Sequence, residues 1–427
     1  VPSPARVRAV EVLQSLEQDR GTLGDQLAAA DLELADPRER GFLHELVLGS
    51  LRARGRLDYV LAALLDRPLE RVDPAALTVL RLGAYQMLDL RVPDRAAVSE
   101  AVDLVRVHAP AAGGFVNAIL RRLGREGPRA LPDPERQPLA WLTSAGSLPA
   151  WLAERWLARL GPQAAVARAA ALLEKPPTAV RLNPRRTDAA ARVEQAGITL
   201  RPLTLAGAFE AAGGSPVSLA EEGILYLQDE GSQVVGQLAS TPGRILDACA
   251  APGGKATLMA DLGPDRVVFA GEPGARRRDS MARLVARWGS PAVRIVGADA
   301  RRPPFPDASF DSVLLDAPCS GLGTLGRHPD IRWRTKSTDP ARHARLQATL
   351  LASVAPLVRP GGLLVYATCS SEPEEDEAVV EGFLNGAPAY RLEAPPAWAR
   401  PFTVGSHVRT DREGAGDAFF AALLRRA

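Results

Sequence analysis

The chain predicts a multi-domain fold: an all-α bundle, then a small α+β module, then an α/β domain on a mostly parallel sheet. Three observations predict it. From Val1 to about Gly127, apolar residues recur at helical spacing with no alternating strand run. Prolines then crowd the stretch from Gly127 to Pro138, at Pro128, Pro132, Pro134 and Pro138, where no helix can run through. From Gln228 onward, apolar strand-like runs alternate with helical segments, the pattern of a parallel sheet with helices on both faces. A length of 427 residues also exceeds what one hydrophobic core supports.

In the bundle, Leu77, Leu80, Ala84 and Leu88 share one helical face, and Asp73 followed by Pro74 supplies an N-cap and a first-turn proline. Val98, Ala101, Val102 and Val105 repeat that spacing in the next helix, so this region reads as helix packed on helix. Between Ser147 and about Gly223 the pattern gives two helices, a strand at Thr178 to Leu182, a helix near Asp188 to Ala196 and further short strands. The α/β strands are expected at Arg244 to Ala248, Arg266 to Ala270, Ala292 to Val296, Ser312 to Leu315 and Leu363 to Ala367. The expected domains are therefore residues 1–135, 136–227 and 228–427.

Hydrophobic residues at 46% and charged residues at 24% exclude a mainly disordered chain. A formal charge of +2 does not mark a nucleic-acid binder by itself, so local patches must carry that case. Arginines gather at Arg121, Arg122 and Arg125, at Arg181, Arg185 and Arg186, at Arg276 to Arg278, and at Arg327, Arg332 and Arg334. Jointly they are candidates to track a phosphate backbone. Cys249, Cys319 and Cys369 cannot all pair, and no apolar run has membrane-spanning length. A reducing, cytoplasmic setting follows, with free thiols, no membrane partner, no metal and a monomeric chain as the expectation.

The chemistry-bearing residues sit where expected strands end. After the first α/β strand come Cys249, Ala250, Ala251, Pro252, Gly253, Gly254 and Lys255, a loop at the edge of the sheet where ligands bind. It matches neither the dinucleotide nor the phosphate-loop pattern, which leaves a nucleoside ligand of another kind. Glu272 ends the next strand, where a carboxylate can accept hydrogen bonds from both ribose hydroxyls. Asp299 follows the third, where an adenine amino group could be read. Asp316, Cys319 and Cys369 follow the last two strands.

Either cysteine alone reads as a buried structural residue. Both together, beside an acid and a ligand loop, favour catalysis. Carbon 5 of cytosine is too poor a nucleophile to take a methyl group unaided. Adding a thiolate to carbon 6 turns the ring into an enamine whose carbon 5 is electron-rich, and a thiolate can leave again afterwards. Asp316 is the available acid or hydrogen-bond partner near ring nitrogen 3. Elimination then needs a base for the carbon 5 proton, which gives the other cysteine a task.

The Asp-Ala-Pro-Cys-Ser-Gly run at 316–321, the Thr-Cys-Ser run at 368–370 and the loop at 249–255 together resemble the Sun/NOL1/NOP2 family of RNA cytosine-5 methyltransferases. The closer likeness is to its bacterial ribosomal RNA branch, of Sun/Fmu/RsmB type. The resemblance implies a Rossmann-like methyltransferase domain that uses S-adenosylmethionine, with Cys369 forming the covalent adduct and Cys319 assisting release. It also implies that residues 249–255, Glu272, Asp299 and Asp316 line the cofactor site. Residues 1 to about 130 look like a NusB-type helical RNA-binding domain, and Arg181, Leu182 and Asn183 like the opening of an RNA-recognition-like module. Gly271-Glu272-Pro273 departs from the aspartate more usual in the family, though a glutamate can still chelate a ribose. The expected substrate is a cytosine in 16S ribosomal RNA. The same chemistry on transfer RNA, or an inactive RNA-binding or assembly factor, are the alternatives.

Overall fold

A computed structural model describes residues 2–410 and 416–427, and the chain divides into two compact units. The first comprises residues 1–175 together with 325–337, and the second residues 176–324 and 338–427.

The first unit is helical. Helices span Pro4–Glu17, Leu23–Leu32, Pro37–Ala62, Pro74–Leu88, Asp94–His108 and Gly113–Glu126, and Pro138–Thr143, Ala150–Leu160 and Pro162–Ala171 complete it. The Asp73 side chain caps the helix that opens at Pro74 by accepting the Ala76 amide at 2.9 Å, as its sequence predicts. Leu80, Ala84, Ala101, Val105 and Leu120 pack in one core with Leu43, Leu46 and Leu57 of the long helix. No helix forms between Glu126 and Pro138.

Residues 325–337 belong to this unit although their chain neighbours do not. Arg332 is fully buried and donates to the carbonyls of Ser147, Leu172 and Leu325 at 3.1, 3.4 and 3.1 Å. Burial pushes its guanidinium down to about 9, with Arg52 adding to the effect. The Trp333 indole donates to the Leu51 carbonyl at 2.8 Å.

Gly55 lies against the backbone of the turn at 143–147. A Cβ there would meet the Thr143 carbonyl oxygen at 2.6 Å and the Ser147 Cα at 2.8 Å. Both obstacles are backbone and cannot swing aside. Alanine would gain about 1 kcal/mol of helix propensity, but overpacking costs about 1–3 kcal/mol, and two contacts with fixed backbone put it at the upper end. Gly55→Ala is therefore expected to destabilise the protein by about 1–2 kcal/mol, read as a lower denaturant midpoint. An unchanged or higher midpoint would show that the turn at 143–147 can move away.

The second unit begins with a small antiparallel sheet of β1 (Ala179–Leu182), β2 (Thr199–Pro202), β3 (Ala208–Ala212) and β4 (Leu225–Leu227), in the order β2-β3-β1-β4. Val180, Val193, Ile198 and Leu225 bury against each other beneath it.

The larger sheet contains β5 (Gly243–Asp247), β6 (Arg266–Gly271), β7 (Val293–Val296), β8 (Phe310–Asp316), β9 (Val358–Thr368), β10 (Tyr390–Glu393), β11 (Thr403–Val404), β12 (His407–Arg409) and β13 (Phe420–Arg426). Its order is β11-β12-β13-β9-β8-β5-β6-β7, with β10 paired to β13. The strands from β9 to β7 are parallel, while β10 to β13 are antiparallel additions. The sheet is thus mixed where a mostly parallel one is expected. Side chains alternate between two cores. Leu314, Leu363, Val365 and Ala367 enter one, and Val313, Leu315, Leu364 and Tyr366 the other. Helices Glu230–Ala239 and Gly254–Asp261 cover the first face, and Asp339–Val354 and Glu377–Gly386 the second. Among the described residues, no helix is long and apolar enough to cross a membrane.

Candidate active site

Strand order reverses between β5 and β8: the chain proceeds outward through β6 and β7, then returns to the other side of β5. At such a switch point the loops after neighbouring strands part, leaving a crevice at their carboxyl ends. Asp316 ends β8 and Cys369 follows β9, so these two expected residues share that edge of the sheet with Asp247, which ends β5.

The Sγ atoms of Cys319 and Cys369 lie 3.1 Å apart although 50 residues separate them in sequence. Neither cysteine is fully buried. The neighbouring Cys369 sulfur, and then burial, hold the Cys319 thiol well above its ordinary range. Lys255 donates to Asp316 Oδ2 at 2.8 Å, and its Nζ lies 5.0 Å from the centre of the Phe419 ring. Burial works against the Lys255 ammonium, but Asp316, Asp247 and Cys369 outweigh it and raise its pKa.

The loop after β5 is fastened to the sheet through the Ala250 amide, which donates to the Gly271 carbonyl at 2.9 Å, and turns on a Gly253 amide bond to the Ala250 carbonyl at 2.7 Å. Its Ala251–Pro252 peptide is cis. Gly253 has φ +108°, which other residues rarely adopt. A Cβ on Gly254 would meet the Tyr226 ring at 2.6 Å, so the close approach made possible by this glycine is filled by a side chain of the protein itself. Cys249 is pushed up to about 12, first by burial and then by Asp247, Asp316 and Glu272. Three carboxylates therefore act on Cys249.

Glu272 is buried, accepts the Gly274 amide at 2.7 Å and pairs with Arg277 at 3.3 Å. Asp299 is more exposed. It accepts from the Arg301 amide and guanidinium, and the guanidinium bond holds its pKa below the usual range.

Asp247 has a larger part than a strand terminus would announce. It is buried, and among the described residues neither carboxylate oxygen has a hydrogen-bond partner. Burial first, and Asp316 second, push it up to about 7. An orphaned buried acid among other acids suits a cationic ligand, and the expected S-adenosylmethionine carries a sulfonium and an ammonium. Its pKa is higher in the folded than in the unfolded chain, so the stability this group contributes falls as pH rises from about 4 to about 7, by up to about 4 kcal/mol. Without cofactor, Asp247→Asn should melt several degrees higher than the parent at pH 8, and the gap should close below pH 5. A constant gap across that range would place the acid in contact with water.

The arginine groups separate. Arg181 is buried, donates to Gln228, Asp261, Gly254 and Thr257, and stacks 4.4 Å from the Trp288 ring. Burial lowers it to about 10. Arg332 is buried in the helical unit. Neither can reach a phosphate, because both are enclosed by protein. Arg276 and Arg277 remain exposed.

Comparison with known proteins identifies two stretches of the chain. The family model described as 16S rRNA methyltransferase RsmB/F matches residues 238–425, and the NusB family model matches residues 3–125. The ribosomal RNA small subunit methyltransferase B of Thermus thermophilus is 36% identical over 426 residues, 98% of this chain and 97% of the relative. The protein of the same name from Pseudomonas putida is 34% identical over 442 residues, 98% of both chains. The crystal structure of the protein PH0851 superposes with a TM-score of 0.82 at 25% identity, covering 100% of this chain and 99% of that one. Likeness of this extent makes the chain a member of the RsmB/F family of 16S rRNA methyltransferases, an S-adenosylmethionine-dependent RNA methyltransferase.

Proposed function

We propose that the enzyme methylates carbon 5 of a cytosine in small-subunit ribosomal RNA, with Cys369 as covalent nucleophile and Cys319 as the group that completes release. The observation that carries this reading is the pair of sulfurs 3.1 Å apart beside the Lys255–Asp316 ion pair. Relatives named for the small-subunit ribosomal RNA, similar along almost the whole chain, support the substrate.

The Cys369 thiolate adds to ring carbon 6, and the electrons of the carbon 5–carbon 6 double bond become available at carbon 5. Lys255 supplies positive charge beside the attacking sulfur, and Asp316, held by Lys255, steadies the ring edge at nitrogen 3. Bound S-adenosylmethionine supplies the electrophilic methyl group. Carbon 5 then carries both a methyl group and a hydrogen. Cys319 releases its own proton to solvent and, as the thiolate, takes the carbon 5 proton; the double bond reforms and the Cys369 sulfur is expelled as a thiolate. The cofactor is held by residues 249–255, Glu272, Asp299 and Asp316, with Asp247 beneath. The target base must leave its stack to reach the thiol, and the NusB-like helices are proposed to dock the surrounding RNA.

Bisulfite mapping of RNA from cells with and without the gene tests the reading. One 5-methylcytosine in small-subunit ribosomal RNA should vanish with the gene. A lost site in transfer RNA alone would overturn the substrate, and no lost site would overturn the chemistry.

A further inference from the structure

We infer that Glu375 is a positioning residue that holds both reactive sulfurs in register, an inference that rests on the two-cysteine reading of the site. Glu375 is fully buried. Its Oε1 accepts the Ser320 amide at 2.8 Å and the Gln347 side-chain amide at 3.1 Å. Its Oε2 accepts the hydroxyls of Ser320 and of Ser370, the latter at 2.6 Å. Ser320 is the residue after Cys319, and Ser370 the residue after Cys369. Gln347 also donates to the carbonyl of Pro318, on the other side of Cys319, at 3.0 Å. One carboxylate therefore ties together the backbone on which each sulfur is carried.

The carboxylate is itself immobilised. The Tyr366 hydroxyl, from within β9, donates to the Glu375 carbonyl, and the Glu372 amide donates to Ser370 Oγ at 3.1 Å. A carboxylate offers about four acceptor sites, and here four donors fill them. Glu375 touches neither sulfur, so it acts through the loops. The loops after β8 and β9 are also joined by the Gly323 amide, which donates to the Cys369 carbonyl at 3.0 Å, and this hub adds side-chain bonds beside both sulfurs. A misplacement of about 1 Å at a reacting group costs on the order of 10²-fold in rate, which sets the expected effect.

The test uses the full-length enzyme and two readouts. Diamide, which takes up the two thiol hydrogens as the disulfide forms, reports the proximity of the sulfurs without any RNA, with peptide mapping to identify the Cys319–Cys369 bond. The parent should couple rapidly, and Glu375→Ala at least about 10-fold more slowly, with kcat for methyl transfer down on the order of 10²-fold and cofactor affinity unchanged. Glu375→Gln should recover much of both, because the serine hydroxyls can rotate to accept from the new amide. Where Glu375→Ala does not fold, Ser370→Ala and Ser320→Ala remove one arm each. The first should slow adduct formation on Cys369, and the second should slow release and let adduct accumulate. Unchanged coupling and kcat in these variants, or loss of cofactor binding in step with activity, would overturn the inference. Slowed coupling in the variants of a parent that methylates no cytosine would uphold the positioning role and overturn the functional reading instead.

Discussion

Cys369→Ala is expected to lose methyl transfer to RNA by at least about 10³-fold while binding S-adenosylmethionine as the parent does. Covalent addition is the step that makes carbon 5 nucleophilic, and alanine offers no sulfur for it. The side chain removed lies at the end of β9, whereas the loop 249–255 and Glu272 follow β5 and β6. Cofactor affinity measured by calorimetry should therefore stay within about 2-fold of the parent, a change of less than about 0.5 kcal/mol. Residual turnover near the parent rate would remove Cys369 from the mechanism.

Cys319→Ala should do the opposite: form the adduct and fail to release it. The product would be a protein–RNA conjugate that survives denaturation and migrates as a slow band on a gel, with a methyl group already on carbon 5. Its accumulation should be stoichiometric with enzyme and require cofactor. A double variant lacking both sulfurs should give no band. Clean multiple turnover by Cys319→Ala would assign proton removal to another group.

The parallel strands were legible because most of their central residues are apolar; β5 to β7 fall within about two residues of the expected spans. The antiparallel extension from β10 to β13 was not. Three of its four strands have two to four residues, too short for period-two alternation to register. That the two cysteines would meet was legible only in part. Each ends a strand, but nothing in the order of segments dictates that β8 and β9 are neighbours.

The hidden charges were the least visible. Glu372, Glu375 and Asp376 lie in an acidic run of the kind that usually faces solvent, yet all three are fully buried. Their oxygens serve the hydroxyls of Ser371, Ser320, Ser370 and Thr368, and Arg409 meets Asp376 at 3.2 Å. The serine following each cysteine was the available sign, since two identical hydroxyls beside two reactive sulfurs invite a shared acceptor. Arg181 and Arg332 misled for the same reason, as arginine is rarely so deeply enclosed.

The excursion of residues 325–337 into the helical unit has a topological outcome. The polypeptide changes unit three times, after 175, after 324 and after 337, so no single scissile peptide bond divides it into two self-sufficient pieces. An N-terminal fragment would lack the guanidinium that tethers the Ser147 and Leu172 carbonyls, and the remainder would carry Trp333 without the wall it rests on. The enzyme is two bodies in space but one indivisible thread.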